Sequence, residues 1–270
     1  MYTEIYNLWQ NIPGKCSETP VIKYYKPHNK ASDCAVVIFP GGGYEKRAAH
    51  EGDGYAEFLS HNGITAFVVE YRVAPHYFPL PLLDARRAMR FVRSRAEHYG
   101  IDKNKIAAMG SSAGGHLTAL LATYTQGIDG EITDKTDDTD YMPNAQILCY
   151  PVINLYNTEI AHIGSGNNLT GNKIAESGDV ATRKQLTPSL LCTSETPPAF
   201  IWHTFDDATV NVKNSLEYAA SLKDCGVDTE LHIFPNGRHG LGLTEHSNDL
   251  ENHVAKWSSL LLEWFKYIGW

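Results

Sequence analysis

A serine surrounded by small residues is the first group in this sequence whose setting could make it reactive. Ser112 lies at the centre of Gly-Ser-Ser-Ala-Gly at residues 110–114, which fits the pattern G-x-S-x-G. A serine hydroxyl is a weak nucleophile near neutral pH, so it needs a base within hydrogen-bonding distance and a third group that orients the base. The pattern therefore predicts attack by Ser112 on a carbonyl carbon. We interpret the neighbouring Ser111 as a turn residue.

The segments on either side of the serine predict how it is held. Residues 106–109 are apolar and residues 117–122 have helix-forming composition, so the order is strand, sharp turn and helix. In such a turn the serine is raised above the end of the sheet. The first N–H groups of the helix point at developing negative charge, and we expect the N–H of Ala113 to be one donor to an oxyanion.

Candidates for the orienting acid and for the base follow late strands. Asp206 and Asp207 come after the strand that ends near His203, and His239 follows the last strand. Catalytic groups collect at the carboxyl ends of parallel strands, and the expected order is serine, acid, histidine. Both aspartates remain open at this point. We favour His239 as the base over His246, which we place on the approach to the last helix.

Three glycines follow an earlier strand and predict the rest of an oxyanion hole. The strand at residues 34–39 runs into Gly-Gly-Gly at 41–43. The second oxyanion donor should come from this position, and we assign it to the N–H of Gly42 or Gly43, with Gly42 preferred. Tyr44 comes next. It either lines the acyl pocket, as a substrate contact, or covers the glycine loop.

Strands alternate with helices along most of the chain. The hydrophobic patterns predict strands at 21–26, 34–39, 64–70, 106–109, 145–150, 198–203 and 229–234, and helices at 52–60, 82–98, 117–122, 211–225 and 250–268. This alternation predicts an α/β fold with a mostly parallel twisted sheet of about eight strands and helices on both faces. We expect residues 1–20 to be irregular and the strand at 21–26 to lie at the sheet edge.

Two segments interrupt this alternation of strands and helices. Residues 154–195 are rich in Asn, Gly, Ser and Thr, with short helices expected near 157–163 and 181–186, and we interpret them as a small cap insertion over the active site. Residues 126–144 are polar and acidic and are interpreted as a solvated loop. The alternative, an acidic metal site, is disfavoured because the carboxylates lack the residue order of a calcium-binding loop. No linker divides the chain, so we expect one domain over residues 1–270.

Composition and charge exclude several classes of function. The net charge of -8 argues against nucleic acid and anionic membranes as partners, since both require a basic face. No apolar run approaches the roughly 20 residues that span a bilayer. The start of the chain lacks the basic and apolar regions of a secretion signal.

The cysteines and the C-terminal aromatic residues bear on location and assembly. Five scattered cysteines without a C-x-x-C pattern argue against a disulfide scaffold or a zinc site, so we expect a reducing, cytoplasmic location. An aromatic surface at Trp257, Trp264 and Trp270 either packs on the sheet or forms a homodimer, and both readings stay open.

Together these segments resemble the α/β-hydrolase superfamily, in particular its small carboxylesterases of the hormone-sensitive-lipase-like and carbohydrate acetyl-esterase groups. The resemblance covers roughly residues 34–265. The matching segments, in family order, are Pro-Gly-Gly-Gly-Tyr at 40–44, Glu-Tyr-Arg-Val-Ala-Pro at 70–75, residues 110–116, His-Thr-Phe-Asp-Asp at 203–207 and residues 235–240. The chain departs from the family pattern at Pro40, Thr204 and Asn211, where relatives commonly have histidine, glycine and proline.

The resemblance also implies which residues act. Aligning His203 with the histidine of the family motif H-G-x-x-D-x-x-V-P puts Asp207, and not Asp206, in the catalytic position. The implied triad is Ser112, Asp207 and His239. In this mechanism His239 takes the serine proton as the serine attacks an ester, and water activated by His239 then hydrolyses the acyl-enzyme. Neither a cofactor nor a metal is needed.

The expected function is therefore a serine carboxylesterase that acts on small, short-acyl esters, and the resemblance extends this to acetyl groups on sugars. One alternative within the same fold is amide cleavage, by an amidase, peptidase or aryl formamidase. An alternative of another class is a ligand-binding protein on a catalytically inactive hydrolase scaffold. Fold alone does not decide among them.

Overall fold

The computed structural model describes residues 1–14, 16–131, 133–244 and 253–270. Its strands are β1 (Glu4–Asn7), β2 (Val21–Tyr25), β3 (Ala35–Phe39), β4 (Thr65–Glu70), β5 (Ile106–Ser111), β6 (Ala145–Cys149), β7 (Ala199–Thr204) and β8 (Thr229–Phe234). Its α-helices are α1 (Ala49–His61), α2 (Leu80–Ser94), α3 (Ala96–Tyr99), α4 (Ser112–Thr123), α5 (Ile163–Thr170), α6 (Val180–Gln185), α7 (Lys213–Asp224) and α8 (Lys256–Tyr267).

All eight strands form one sheet in the order β1-β2-β4-β3-β5-β6-β7-β8. The pairs β1–β2 and β2–β4 are antiparallel, and every pair from β4 to β8 is parallel. Phe39 in β3 lies opposite Gly110 in β5, and Ser111 lies opposite Cys149 in β6. The segments that follow these three strands therefore start from the same edge of the sheet. The predicted α/β fold, with a mostly parallel sheet of about eight strands, is confirmed.

Alternate residues of β3 face two different hydrophobic cores. Ala35, Val37 and Phe39 belong to a core shared with α2 and α4, whereas Val36 and Ile38 belong to one shared with α1 and α8. Because both faces are covered, the strand must be apolar throughout, which explains why it is a continuous apolar run. The prediction of helices on both faces is confirmed.

The interpretation of residues 1–20 as irregular is wrong for a short strand at the sheet edge. β1 pairs antiparallel with β2, so β2 is the second strand and not the edge strand. β1 has four residues and is largely exposed, so it carries too little hydrophobic alternation to be recognised from sequence.

The acidic segment 126–144 is not the solvated loop that the sequence predicts. Its ion pairs with α2 are Arg86–Glu131, Arg90–Glu131, Arg87–Asp134 and Arg87–Asp137. Residues 81–92 of α2 are all buried. Hydrogen bonds from the guanidinium of Arg87 hold the pKa of Asp134 well below its usual range. The segment therefore covers the charged face of α2, and hydropathy alone could not indicate this because both partners are polar.

Residues 154–195 contain α5, α6 and connecting turns. α6 agrees with the helix expected near 181–186, but the helix expected near 157–163 is wrong, because α5 begins at Ile163. The carbonyl of Asn157 accepts two N–H groups that close a single turn, and the His162 side chain then caps the start of α5. The predictions that concern His246 and Leu250 lie outside the described residues.

Among the helices that the structure describes, none combines the length and the hydrophobicity that a transmembrane span requires.

Candidate active site

Ser112 stands in a sharp, strained turn between β5 and α4. Its φ is 52°, in the left-handed region that residues with a side chain rarely adopt. The turn requires small neighbours, because a Cβ on Gly110 would overlap the carbonyl of Gly114, and one on Gly114 would overlap the carbonyl oxygen of Phe39. The strand, turn and helix predicted around the serine are all present at the carboxyl edge of the sheet.

Ser112, His239 and Asp207 form an unbroken chain of hydrogen bonds. The Oγ of Ser112 lies 2.8 Å from Nε2 of His239, and Nδ1 of His239 lies 2.6 Å from Oδ2 of Asp207. An ionised carboxylate can only accept, so Nδ1 carries the imidazole proton and Nε2 accepts from the serine hydroxyl. This tautomer is the one that a general base requires.

Asp207 is held as an ionised carboxylate by four donors. Its Oδ1 accepts the N–H groups of Thr209 and Val210 at 2.8 and 2.9 Å, and its Oδ2 lies 3.2 Å from Nε2 of His203 as well as near His239. Burial alone would raise the pKa of Asp207. The hydrogen bonds from His203 and His239 outweigh it and keep that pKa below its usual range. The acid is therefore negatively charged and able to stabilise an imidazolium.

The two neighbours that could have competed for these roles have other partners. Oδ1 of Asp206 accepts the N–H of Gly237 at 2.7 Å, which supports the loop that carries His239. Nδ1 of the buried His203 lies 2.7 Å from the hydroxyl of Ser215. The structure thus brings Asp207, rather than Asp206, to the imidazole.

The glycine loop after β3 leaves two N–H groups unused. The N–H of Gly41 donates to Oε2 of Glu51 at 2.9 Å. Those of Gly42 and Gly43 donate to no acceptor among the residues that the structure describes. Ala113 is the second residue of α4, where N–H groups lack partners within the helix. These are the three predicted oxyanion donors, and their role stays a prediction.

Tyr44 directly follows the glycine loop and is 1% exposed. Its hydroxyl lies 2.8 Å from Nδ1 of His116, whose Nε2 lies 2.8 Å from the carbonyl oxygen of Leu186. The carbonyl can only accept, so Nε2 carries the proton and Nδ1 accepts from Tyr44. His116 thereby joins the glycine loop, α4 and the segment 154–195. A contact between Tyr44 and substrate stays a prediction.

This arrangement predicts an acid-sensitive stability. Burial lowers the pKa of His116 from 6.5 to about 4. The unfolded chain therefore binds a proton at this residue between those two values when the folded protein does not, and stability falls as the pH drops through that window. We expect His116→Gln to reduce the loss of unfolding free energy between pH 7 and pH 4.5 by about 2–3 kcal/mol. Urea denaturation at both pH values measures the unfolding free energy of each protein.

The exposed His61 supplies the control for this prediction. His61→Gln makes the same substitution at an exposed position, so the difference in unfolding free energy between the two pH values should stay as it is in the parent protein. Carboxylates that also titrate are common to all three proteins and cancel in the comparison. An unchanged pH dependence in His116→Gln would contradict the assignment.

Helix α5 lies against the glycine loop. Nδ2 of Asn168 donates to the carbonyl oxygen of Gly43 at 2.9 Å. At the start of the helix, Nδ1 of His162 accepts the N–H of Ser165 at 3.2 Å, so Nε2 carries the proton. Burial, and then the charge of His239, lower the pKa of His162, which is therefore a neutral donor close to the triad. No sequence pattern indicated this residue.

Two other buried residues near the triad were missed from sequence. The ring of Tyr150, directly after β6, packs edge-on against the ring of His239 with centroids 5.0 Å apart. Glu51, in the first turn of α1, does not cap its helix and instead accepts the N–H of Gly41. Their positions after a strand and after the glycine loop were the available signals.

A cavity of about 530 Å³ lies beside the glycine loop, but its lining contains no residue of the triad. Most of its charged lining is internally paired, as Lys23–Asp53, Lys23–Glu70 and Arg47–Glu18. The chemistry of the site is therefore assigned to the hydrogen-bonded triad and not to this cavity.

Comparison with protein families gives one match that covers most of the chain. The model of the family described as BD-FAE matches residues 22–222. This range contains the glycine loop, Ser112 and Asp207, and it ends before His239.

Two curated proteins are similar over most of this chain. A protein named endo-1,4-beta-xylanase B, from Butyrivibrio fibrisolvens, is 34% identical over 87% of this chain and 37% of its own length. A protein named acetylxylan esterase, from Xylanibacter ruminicola, is 32% identical over 81% of this chain and 43% of its own length. The chain thus spans about two fifths of each of these relatives.

A solved structure is similar over nearly its whole length. It is that of an acetyl ester-xyloside bifunctional hydrolase from Caldicellulosiruptor lactoaceticus, with a TM-score of 0.89 and 40% sequence identity. The alignment covers 99% of this chain and 97% of that one.

Proposed function

The chain belongs to the BD-FAE family, and from this membership and the geometry of its site we propose that it is a serine carboxylesterase. The matches confirm the resemblance to small esterases of the α/β-hydrolase superfamily. The observation that carries the proposed activity is the chain of hydrogen bonds from Ser112 through His239 to Asp207. A catalytically inactive scaffold would have no need to keep all three groups in this order.

The mechanism proceeds in two acyl-transfer steps. Nε2 of His239 takes the hydroxyl proton as Oγ of Ser112 attacks the ester carbonyl, and Asp207 stabilises the imidazolium that forms. The carbonyl oxygen becomes an oxyanion that the N–H groups of Gly42 or Gly43 and of Ala113 stabilise. His239 returns the proton to the leaving alcohol, and a water activated by the same imidazole releases the acid.

The proposed substrates are short-acyl esters, in particular acetyl esters of sugars. Support comes from relatives named for acetyl esters. Hydrolysis of a xyloside, which one solved neighbour is also named for, has less support here. Glycosidases need two carboxyl groups that are free to act on either side of the bond. Asp207 is engaged by four donors, and Glu51 by Gly41 and Tyr150, so neither is free to protonate a glycosidic oxygen.

A substrate panel tests this proposal. It contains nitrophenyl esters of two, four and eight carbons, nitrophenyl xyloside, formanilide, aminoacyl anilides and acetylated xylo-oligosaccharides. We expect the highest kcat/KM on the two-carbon ester and release of acetate from the oligosaccharides. Anilide turnover with inert esters would instead favour an amidase, and xyloside turnover with inert esters would favour a glycosidase.

Residues 154–195 are proposed to form the cap over this site within a single domain. The contacts of Asn168 with Gly43 and of Leu186 with His116 support this, because they join the segment to the glycine loop and to α4. The homodimer and the cytoplasmic location stay predictions.

A further inference from the structure

A chain of buried polar side chains runs behind the proposed catalytic site. The Oγ of Ser111 lies 3.0 Å from the hydroxyl of Tyr55, which lies 3.1 Å from the hydroxyl of Tyr150, which lies 2.8 Å from Oε1 of Glu51. All four residues are at most 3% exposed. A network of this kind, so close to the triad and outside the triad mechanism, needs its own explanation.

The direction of each hydrogen bond follows from its carboxylate end. The hydroxyl of Tyr150 donates to Oε1 of Glu51, so its proton is used and Tyr55 donates to Tyr150, while Ser111 donates to Tyr55. The hydroxyl oxygen of Tyr150 also accepts the N–H of Gly242 at 3.0 Å. Each of the three hydroxyl protons in this network is donated to the next group, so the hydrogen bonds all run in one direction.

The network joins three segments that are far apart in sequence. Oε2 of Glu51 holds the N–H of Gly41, directly before the two free N–H groups of the glycine loop. The Tyr150 hydroxyl holds the N–H of Gly242 in the loop that carries His239, and the Tyr150 ring packs against that imidazole. Glu51 and Tyr150 therefore connect the oxyanion donors with the base.

Backbone geometry shows that this placement is enforced. Tyr150 has a φ of 38°, in the left-handed region, which is strained for a residue with a side chain. A Cβ at Gly41 would overlap Oε2 of Glu51 and would come within 2.7 Å of the carbonyl oxygen of Ser111. The protein thus tolerates backbone strain at Tyr150 and requires glycine at position 41 so that these groups can come together.

We propose that Glu51 and Tyr150 are positioning residues that hold the glycine loop and the histidine loop at the spacing acyl transfer requires. The inference rests on the proposed esterase function. Both residues are buried and act through the backbone of the two loops, so their removal should lower kcat and leave KM for a small ester nearly unchanged. Displacements of about 1 Å at a reacting group can cost about 100-fold in rate, which sets the scale of the effect.

Two nearly isosteric variants test the proposal. Tyr150→Phe keeps the ring against His239 but removes the hydroxyl that binds Glu51, Tyr55 and Gly242. Glu51→Gln keeps the shape and one acceptor, and its amide can donate to Tyr150, so it should act as a partial rescue relative to Glu51→Ala. We expect kcat on nitrophenyl acetate to fall about 10- to 100-fold in Tyr150→Phe and Glu51→Ala and less in Glu51→Gln, with KM within about threefold.

A matched control is Tyr218→Phe. Tyr218 is also fully buried and also donates its hydroxyl to one side chain, the Oε1 of Gln146, at the amino end of β6. The Tyr218→Phe variant should lose about as much thermal stability as Tyr150→Phe but keep the kcat of the parent protein. All rates are measured well below the Tm of each variant.

The rate of inactivation by an organophosphate supplies a second readout, because it needs the same base and oxyanion donors without acyl-enzyme hydrolysis. It should fall in parallel with kcat in Tyr150→Phe and Glu51→Ala. A lowered Tm with unchanged kcat and unchanged inactivation rate in folded Tyr150→Phe or Glu51→Ala would overturn the proposal. An inactive parent protein would instead contradict the esterase function itself.

Discussion

Replacing Ser112 with alanine is expected to lower kcat for nitrophenyl acetate by about five to six orders of magnitude. The serine oxygen forms the covalent bond in the proposed mechanism, and no other hydroxyl lies within hydrogen-bonding distance of Nε2 of His239 among the described residues. The oxyanion donors and substrate binding still give about a 10³- to 10⁴-fold acceleration over water, so the loss is large but not total. Initial rates over a wide range of enzyme concentration measure the effect.

Ser258→Ala is the control for this variant. Ser258 donates to the carbonyl oxygen of Ala255 near the start of α8, so its loss removes one hydroxyl without reaching the site. Its kcat should equal that of the parent protein. A Ser112→Ala protein that stays within tenfold of the parent would contradict the account, provided that its unfolding transition is unchanged.

Replacing Asp207 with asparagine is expected to lower kcat by about four orders of magnitude. The asparagine oxygen can still accept the N–H groups of Thr209 and Val210, so its amide NH₂ then faces the imidazole. Nδ1 of His239 must accept from that amide, which moves the imidazole proton to Nε2. The histidine can no longer take the proton of Ser112, even though the geometry is preserved.

Asp206→Asn is a matched control because it makes the same change one residue earlier. The asparagine oxygen can still accept the N–H of Gly237, so the loop of His239 keeps its support. We expect kcat within about threefold of the parent protein, as for most surface substitutions. Equal losses in Asp206→Asn and Asp207→Asn would show that charge in this loop matters, and not the hydrogen bond to His239.

The parts of the site that depend on local geometry were predictable from sequence. The turn at Ser112 must be flanked by small residues because two backbone segments nearly touch there, and this requirement is visible in residues 110–114. The glycine loop and His239 each follow directly after a strand, so the topology of a parallel sheet brings them to one edge. Local composition and strand order together therefore indicated the serine and its base.

The choice between Asp206 and Asp207 needed more than local composition. Both follow β7, and the residue patterns did not separate them without the family resemblance. The structure separates them because Oδ1 of Asp207 accepts the N–H groups of Thr209 and Val210, which fixes the carboxylate toward His239. A single-residue offset of this kind depends on the conformation of the turn.

Contacts between polar groups distant in sequence were not predictable. Glu51 and Tyr150 form a hydrogen bond with each other, and neither belongs to a sequence motif. The arginines of α2 and the acidic segment 126–144 pair in the same way, so two stretches that look solvated separately bury each other. Hydrophobic periodicity records which face of an element is apolar, but it carries no information about which charges meet.

Labelling with an organophosphate tests the central claim most directly. The protein is incubated with the reagent, and its intact mass and proteolytic peptides are measured by mass spectrometry. We expect one adduct per chain, located on Ser112, formed rapidly in the parent protein and absent from Ser112→Ala. An unmodified parent protein, or an adduct on another residue that persists in Ser112→Ala, would contradict the assignment of Ser112 as the nucleophile.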